Sequence, residues 1–282
     1  MNNESDSIVL KRKLLKMAKI FHEFCQSNGI EYFMIGGTML GAVRHKGFIP
    51  WDDDIDFGVP RKSYEKMLSL RDRLPEGYTF NVPSDGKNFK YGFCKMYDEN
   101  TTFVESGKDT RFIGGVFIDV FPIDNIGDDY GKALKIMKSV KARKRFVSAI
   151  YQKGNRTGLI KTVVARLLQL IPENPKLLDL PYKPVKKFKD KPSEYLVNVY
   201  GAYNEREITP TEVIGNPVLY EFEDTAFYGV EDYDKYLTTV YGDYMTPPPE
   251  DKRGGHSIIY VNYDLPYKEY AKRQLTDSAD GK

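Results

Sequence analysis

A chain of 282 residues is long enough for one large α/β domain, or for a catalytic domain with a sizeable appendage, and too long for a small disulfide scaffold. Its 42 basic and 40 acidic side chains nearly cancel, so there is no global charge argument for nucleic acid and none is expected as a partner. Cys25 and Cys94 lack metal-type spacing to another cysteine or histidine and read as reduced core residues, which fits the cytoplasm. No signal-peptide core is present and nothing approaches about 18 consecutive apolar residues, so the expectation is a soluble or peripheral protein.

In chain order, Leu10, Leu14, Met17, Phe21 and Phe24 recur at helical spacing and mark a first helix that stops near Asn28-Gly29. His22 lies off that apolar face and is expected in solvent. Ile30–Ile35 reads as a buried strand, Gly36-Gly37 as its turn, and Thr38–Val43 as a short helix. Ile55–Val59 suits a second strand, and Pro60 stands where a helix with inner face Tyr64, Met67, Leu68 and Leu74 would start. Further strands are expected at Tyr78–Val82, Tyr91–Tyr97 and Val116–Phe121.

The character then changes. From Lys132 to Lys191 there are 17 basic residues against 3 acidic ones, in a segment that reads as helical over 128–170, so an anionic partner is to be sought there. Prolines at 172, 175, 181 and 184 separate this arm from a tyrosine-rich C-terminal third. The expected organisation is a catalytic core over 1–127, a basic helical arm over 128–191 and a C-terminal part over 192–282 that completes the catalytic domain.

The chemistry concentrates in two stretches. Gly36-Gly37-Thr38 offers backbone N–H groups that approach a phosphate closely at a helix start. Asp54 and Asp56, two apart in extended backbone, place both carboxylates on one face, where they repel unless a cation lies between them. Oxygen-only ligands suit Mg²⁺ or Mn²⁺. Asp53 points the other way and is expected in solvent, while Asp52 is ambiguous. An EF-hand fails, because counting from Asp52 puts Phe57 at the turn glycine and Ser63 at the bidentate acid.

Asp119, in the apolar run Val116–Phe121, is a carboxylate that needs a metal or a hydrogen-bonding partner; it is either the third metal carboxylate and general base, or a buried acid held by backbone N–H groups or an arginine. Asp124, after Pro122, reads as a loop or cap residue. Arg44-His45-Lys46 lies between the two halves of the site, as phosphate-holding charge or as a solvated basic turn. Pro247-Pro248-Pro249 stiffens the approach to Arg253 and His256. P-loop, dinucleotide-fingerprint and nucleophile-elbow patterns are absent.

The run Gly36–Asp56, the block Phe117-Ile118-Asp119-Val120-Phe121-Pro122 and the block Tyr241-Gly242-Asp243-Tyr244-Met245 with Arg253 and His256 together resemble the LicD family of phosphocholine transferases, which are related to fukutin-type ribitol-phosphate transferases. The resemblance spans residues 30–257, and the 128–191 arm carries no matching motif. It implies an α+β, nucleotidyltransferase-like mixed sheet flanked by helices, with a basic helical insertion and a C-terminal extension. It also implies transfer of phosphocholine from CDP-choline to a sugar hydroxyl of a teichoic acid, capsule or lipopolysaccharide precursor, with CMP leaving. Asp54, Asp56 and Asp119 would be the catalytic and metal residues. Gly36, Gly37, Thr38, Arg44, His45, Lys46, Arg253 and His256 would hold the donor, and a quaternary ammonium would favour an aromatic cage. Alternatives are another phospho-alcohol, ribitol or glycerol phosphate, or a degenerate glycan- or membrane-binding module. Leu159–Leu168 would make an interfacial helix at the inner membrane face, beside a lipid-linked glycan acceptor, or simply a helix packed on the core.

Overall fold

The computed structural model describes residues 4–85, 91–105, 113–151, 163, 166–168, 170–172, 174–255 and 258–280. The first helix, α1 (Glu4–Ser27), buries Leu10, Leu14, Met17, Phe21 and Phe24 as its periodicity requires, and it ends where Gly29 takes a left-handed φ of 58°. Phe21 stacks on Phe57 of the sheet at 4.8 Å between ring centroids. Truncating such a buried ring costs about 3–5 kcal/mol, so α1 is a structural wall.

The expected first strand shrinks to β1 (Phe33–Met34), and the helix after it starts earlier than expected: α2 runs from Gly36 to His45 with Ile35 as N-cap. The glycine pair is thus the first turn of a helix. It is followed by β2 (Asp56–Pro60), α3 (Arg61–Ser69), β3 (Tyr78–Asn81), β4 (Cys94–Asp98), β5 (Thr102–Glu105) and β6 (Phe117–Gly127). The mixed seven-stranded sheet has the order β1-β2-β6-β4-β3, extended by β7 (Tyr195–Asn198) on β6 and β8 (Ile208–Pro210) on β7. Among the described residues only β2 and β6 pair in parallel within it, their long connection passing through the intervening strands.

β6 continues well past Pro122, contrary to the expected stop near Phe121. On one edge its partner is β4 up to Val120 and β7 from Ile123 onward. The proline's missing N–H falls at that handover, where it removes no ladder bond. Asp124 is therefore a buried strand residue and not a cap. Arg61 at the start of α3 grips both of its oxygens, at 2.7 and 2.8 Å.

The basic helix α4 (Tyr130–Tyr151) seats Ala133, Met137 and Val140 in a second core with Val185, Val197, Val199 and Ile208. After β8 come a hairpin, β9 (Val218–Phe222) with β10 (Thr225–Gly229), then α5 (Tyr233–Tyr241), β11 (Ile258–Asn262) paired with β5, and α6 (Tyr267–Asp280). Cys25 and Cys94 are free and buried. His22, expected in solvent, is instead half-buried against the Tyr32 hydroxyl and the rings of Phe227 and Tyr228, and burial lowers its pKa. Among the described residues no helix is long and apolar enough to cross a membrane. The stretch 159–168 lies largely outside them.

Candidate active site

The parallel register sets Asp56 of β2 beside Asp119 of β6, and on the other side of β6 Lys95 of β4 stands opposite Asp119. Directly opposed residues share a sheet face, so the three strands carry a row Asp56, Asp119, Lys95, of which Asp56 lines the cleft described below. Lys95 Nζ lies 2.5 Å from Asp119 Oδ1, with both groups buried. The ammonium also sits over the rings of Phe117 at 3.3 Å and Tyr91 at 4.3 Å. The partner that Asp119 needed is thus a lysine, where the sequence had pointed to a metal, backbone N–H groups or an arginine. Lys95, in the run Phe93-Cys94-Lys95-Met96-Tyr97, carries the same signal as Asp119, a charge between buried apolar neighbours, but only the register shows that the two charges meet.

Asp56 is pinned by its own backbone. Its N–H donates to the Thr38 hydroxyl at 2.8 Å, and its carbonyl accepts from Ile35 N–H at 3.2 Å. Thr38 is buried and so positions Asp56 from behind. Burial first, then the charges of Asp54, Asp119 and Asp52, push the Asp56 carboxyl well above its usual pKa. Asp119 is also raised by burial, with Lys95 opposing.

The acidic loop before β2 is not extended strand, and parity misassigns it. Asp53, expected in solvent, is buried: its carboxylate lies against Gly255, where an added Cβ would come within 2.4 Å of it. Asp52, left open by the sequence, turns toward α2, and a Cβ on Gly37 would meet its Oδ2 at 2.7 Å. The absent side chain at Gly37 therefore admits a carboxylate of the protein itself to the helix start, an end that favours negative charge. Gly36, at φ 54°, donates its N–H to the Tyr236 hydroxyl at 3.0 Å. Lys11 ties the loop to α1 through the carbonyls of Ile49 and Pro50.

Asp52, Asp54 and Asp56 line a cleft of about 1130 Å³ together with Gly36, Gly37 and Arg44. Among the described residues, neither His45 nor Lys46 lines it. Arg44 donates to the Tyr244 carbonyl at 2.6 Å and to His45 Nε2 at 2.9 Å. His45, on the exposed side, is held below its usual pKa by burial and by neighbouring Arg44 and Lys11. Lys46 serves the backbone: it is the left-handed C-cap of α2, φ 58°. Arg253 lies over the Trp51 ring at 4.7 Å, at the edge of the cleft. His256 falls outside the described residues.

The remaining walls come from the basic arm and the tyrosine-rich third, where the sequence marked Tyr241 within a motif block but assigned none of these residues a role in the site. Lys141, Lys144, Arg145 and Ser148 share one face of α4 and turn it to the cleft. Tyr200, Tyr203, Glu207, Tyr236 and Tyr241 face them. Lys144 donates to the Gly201 carbonyl at 2.5 Å. Glu207 accepts from Tyr203 N–H at 2.9 Å, and burial raises its pKa to about 7 against the pull of that bond and of Lys144. The charge excess of the arm was legible; which of its residues would meet the acidic end was not. Among the described residues no three His, Cys, Asp or Glu side chains form a ready-made metal cage.

Comparison with known proteins identifies the class first: residues 29–152 match the family model described as "LicD/FKTN/FKRP, nucleotidyltransferase domain". Over 256 residues, 86% of this chain and 93% of the relative, the protein is 27% identical to the lipopolysaccharide cholinephosphotransferase LicD of Haemophilus influenzae. Ribitol 5-phosphate transferase FKRP of Homo sapiens is 40% identical over 60 residues, which is 21% of this chain and 12% of that protein. Ribitol-5-phosphate transferase FKTN of Mus musculus is 24% identical over 166 residues, 48% of this chain and 36% of that protein. Residues 29–152 thus resemble a LicD-type nucleotidyltransferase domain, and the relatives named here are cholinephosphate and ribitol-phosphate transferases.

Proposed function

We propose that the protein transfers phosphocholine from CDP-choline to a hydroxyl of a cell-surface glycan precursor, of the lipopolysaccharide, teichoic acid or capsule kind, and releases CMP. The observation that carries this reading is the set Asp52, Asp54 and Asp56 lining one cleft with Arg44 and the α2 start, with Asp119 and Lys95 in register beside Asp56 on the same sheet face. Its volume of about 1130 Å³ admits a nucleoside diphosphate derivative and part of a sugar acceptor together. The long match to the Haemophilus influenzae enzyme favours choline as the alcohol, while the FKRP match keeps ribitol phosphate as the second reading. The work is assigned to the cytoplasm, at the inner membrane face where a lipid-linked acceptor would be met.

The donor set fits a hard divalent cation. Asp54 and Asp56 would hold Mg²⁺ or Mn²⁺, which commonly takes one or two protein carboxylates and completes its shell with substrate phosphates and water. Such an ion supplies charge that screens the diphosphate and relieves the repulsion raising Asp56. The acceptor oxygen forms its bond to the phosphorus that bears choline, the bond from that phosphorus to the CMP oxygen breaks, and the hydroxyl proton passes to Asp119. Lys95 holds Asp119 in place for that proton, and a carboxyl raised by burial accepts it more readily than an ordinary one. Arg44, at the rim, stabilises charge on the departing phosphate.

Incubation with CDP-choline, CDP-ribitol and CDP-glycerol, each with Mg²⁺, Mn²⁺ or EDTA, tests the reading. CMP should appear fastest from CDP-choline and vanish with EDTA. Preferential release from CDP-ribitol would assign the second reading, and metal-independent release would remove the ion from the site.

A further inference from the structure

Tyr203 and Tyr241 meet at 72° with ring centroids 5.1 Å apart, and their side chains are hydrogen-bonded to each other. Together they form a corner of two aromatic faces. Glu207 closes it from below, fixed by the Tyr203 N–H, and all three line the cleft. The corner adjoins the reacting end. A Cβ on Gly36 would stand 3.8 Å from the Tyr241 hydroxyl and 3.4 Å from Asp56 Oδ2, so the tyrosine and the carboxylate flank the same glycine. Asp52 and Asp56 both act electrostatically on Tyr203, and Asp56 on Tyr241, where Arg44 also acts. Lys144, the cation alongside, is turned onto the Gly201 carbonyl.

We infer that Tyr203, Tyr241 and Glu207 form the subsite for the alcohol end of the donor, and that its chemistry selects a quaternary ammonium. The inference rests on the proposed transfer of phosphocholine and names the residues that make it choline-specific. Ring faces attract a weakly hydrated cation through their quadrupoles, and Glu207, once ionised, supplies the balancing charge. A polyol such as ribitol would leave its hydroxyls against ring carbons there, without hydrogen-bond partners. In phosphocholine two carbon atoms join the phosphate oxygen to the nitrogen. A phosphate held beside Asp56 therefore delivers its ammonium next to Tyr241, on the far side of Gly36 from the carboxylate.

The test uses the full chain and two ligands that separate the halves of the donor: choline chloride, which carries no phosphate, and CMP, which carries no choline. Binding is read by saturation-transfer NMR and calorimetry for the wild type, Tyr203→Ala, Tyr203→Phe and Glu207→Gln. Choline should bind the wild type and Tyr203→Phe alike, and about tenfold more weakly to Tyr203→Ala, the order that a desolvated cation–π contact supplies. Glu207→Gln should weaken choline as well, and CMP should bind all four proteins equally. Unchanged choline affinity in Tyr203→Ala, or a loss of CMP affinity with choline unaffected, would overturn the assignment; the second result would mean that the rings stack the pyrimidine. Should the wild type release CMP from CDP-choline while choline affinity ignores Tyr203, the subsite falls and the reaction stands. If CDP-choline is not a donor, both fall.

Discussion

Asp119 and Asp124 lie on one strand, β6, both buried and each paired with a cation, yet they have opposite characters. Asp124 faces Arg61, whose planar fork occupies both oxygens and so exhausts the carboxylate. Asp119 faces a lysine, a point charge that engages Oδ1, and on its other flank stands the carboxylate of Asp56. A fully satisfied acid braces α3 against the sheet. A partly satisfied acid beside like charges keeps chemical capacity, and it is the one that stands next to Asp56, which lines the cleft. The choice between arginine and lysine thus separates scaffold from site along a single strand.

The largest effect should come from the acidic side of that contrast. Asp54→Asn and Asp56→Asn should each lower CMP release from CDP-choline by at least ~10³-fold, the order lost with one strong transition-state electrostatic contact. Turnover within tenfold of wild type in either variant would remove it from the site. Next, Lys95→Met and Arg61→Met should each destabilise by about 3–5 kcal/mol in denaturant titrations, because each strands a buried carboxylate. They should differ in activity: Lys95→Met loses turnover per folded molecule, whereas Arg61→Met keeps it. Equal turnover losses would erase the distinction between brace and site.

The smallest effect concerns Glu207, a third carboxylate, which accepts a backbone N–H in place of a fork or a touching ammonium. Its folded pKa is raised from 4.5 to about 7, so the fold favours its protonated form and stability is lost as pH rises through that window. The Tm of the wild type should fall there relative to Glu207→Gln, by on the order of 2–4 °C for each kcal/mol involved. Parallel Tm profiles for the two proteins would show that Glu207 is not strained in the fold.

Much of this contrast could be read from the residues, and what escaped did so for definable reasons. Asp119 declared itself as a charge inside an apolar run, and Gly36–Asp56 as a motif with a mechanism. Asp124 misled because Pro122 is a strand breaker in isolation, and only the exchange of β4 for β7 on that edge makes it harmless. Asp53 misled because alternation holds only within a strand, and β2 begins at Asp56. What buries Asp53 is Gly255, a contact across 202 positions that local pattern does not encode. Lys95, the tyrosine corner and the cleft face of α4 are likewise products of tertiary register. A helical wheel of α4 shows that Lys141, Lys144, Arg145 and Ser148 cluster, but the arrangement of the sheet decides what they look at.

The bond from the Gly36 N–H to the Tyr236 hydroxyl joins positions 200 residues apart. On a translating ribosome the glycine turn therefore emerges roughly 10–40 s before its partner, at about 5–20 residues per second. During that interval the acidic loop, the α2 start and β6 all exist, but the tyrosine wall and the Gly255 cover over Asp53 do not. The parts that complete the site, from Tyr200 to Gly255, are therefore the last of it to be synthesised. A half-made chain holds the charges of the site without the surfaces that give them a substrate.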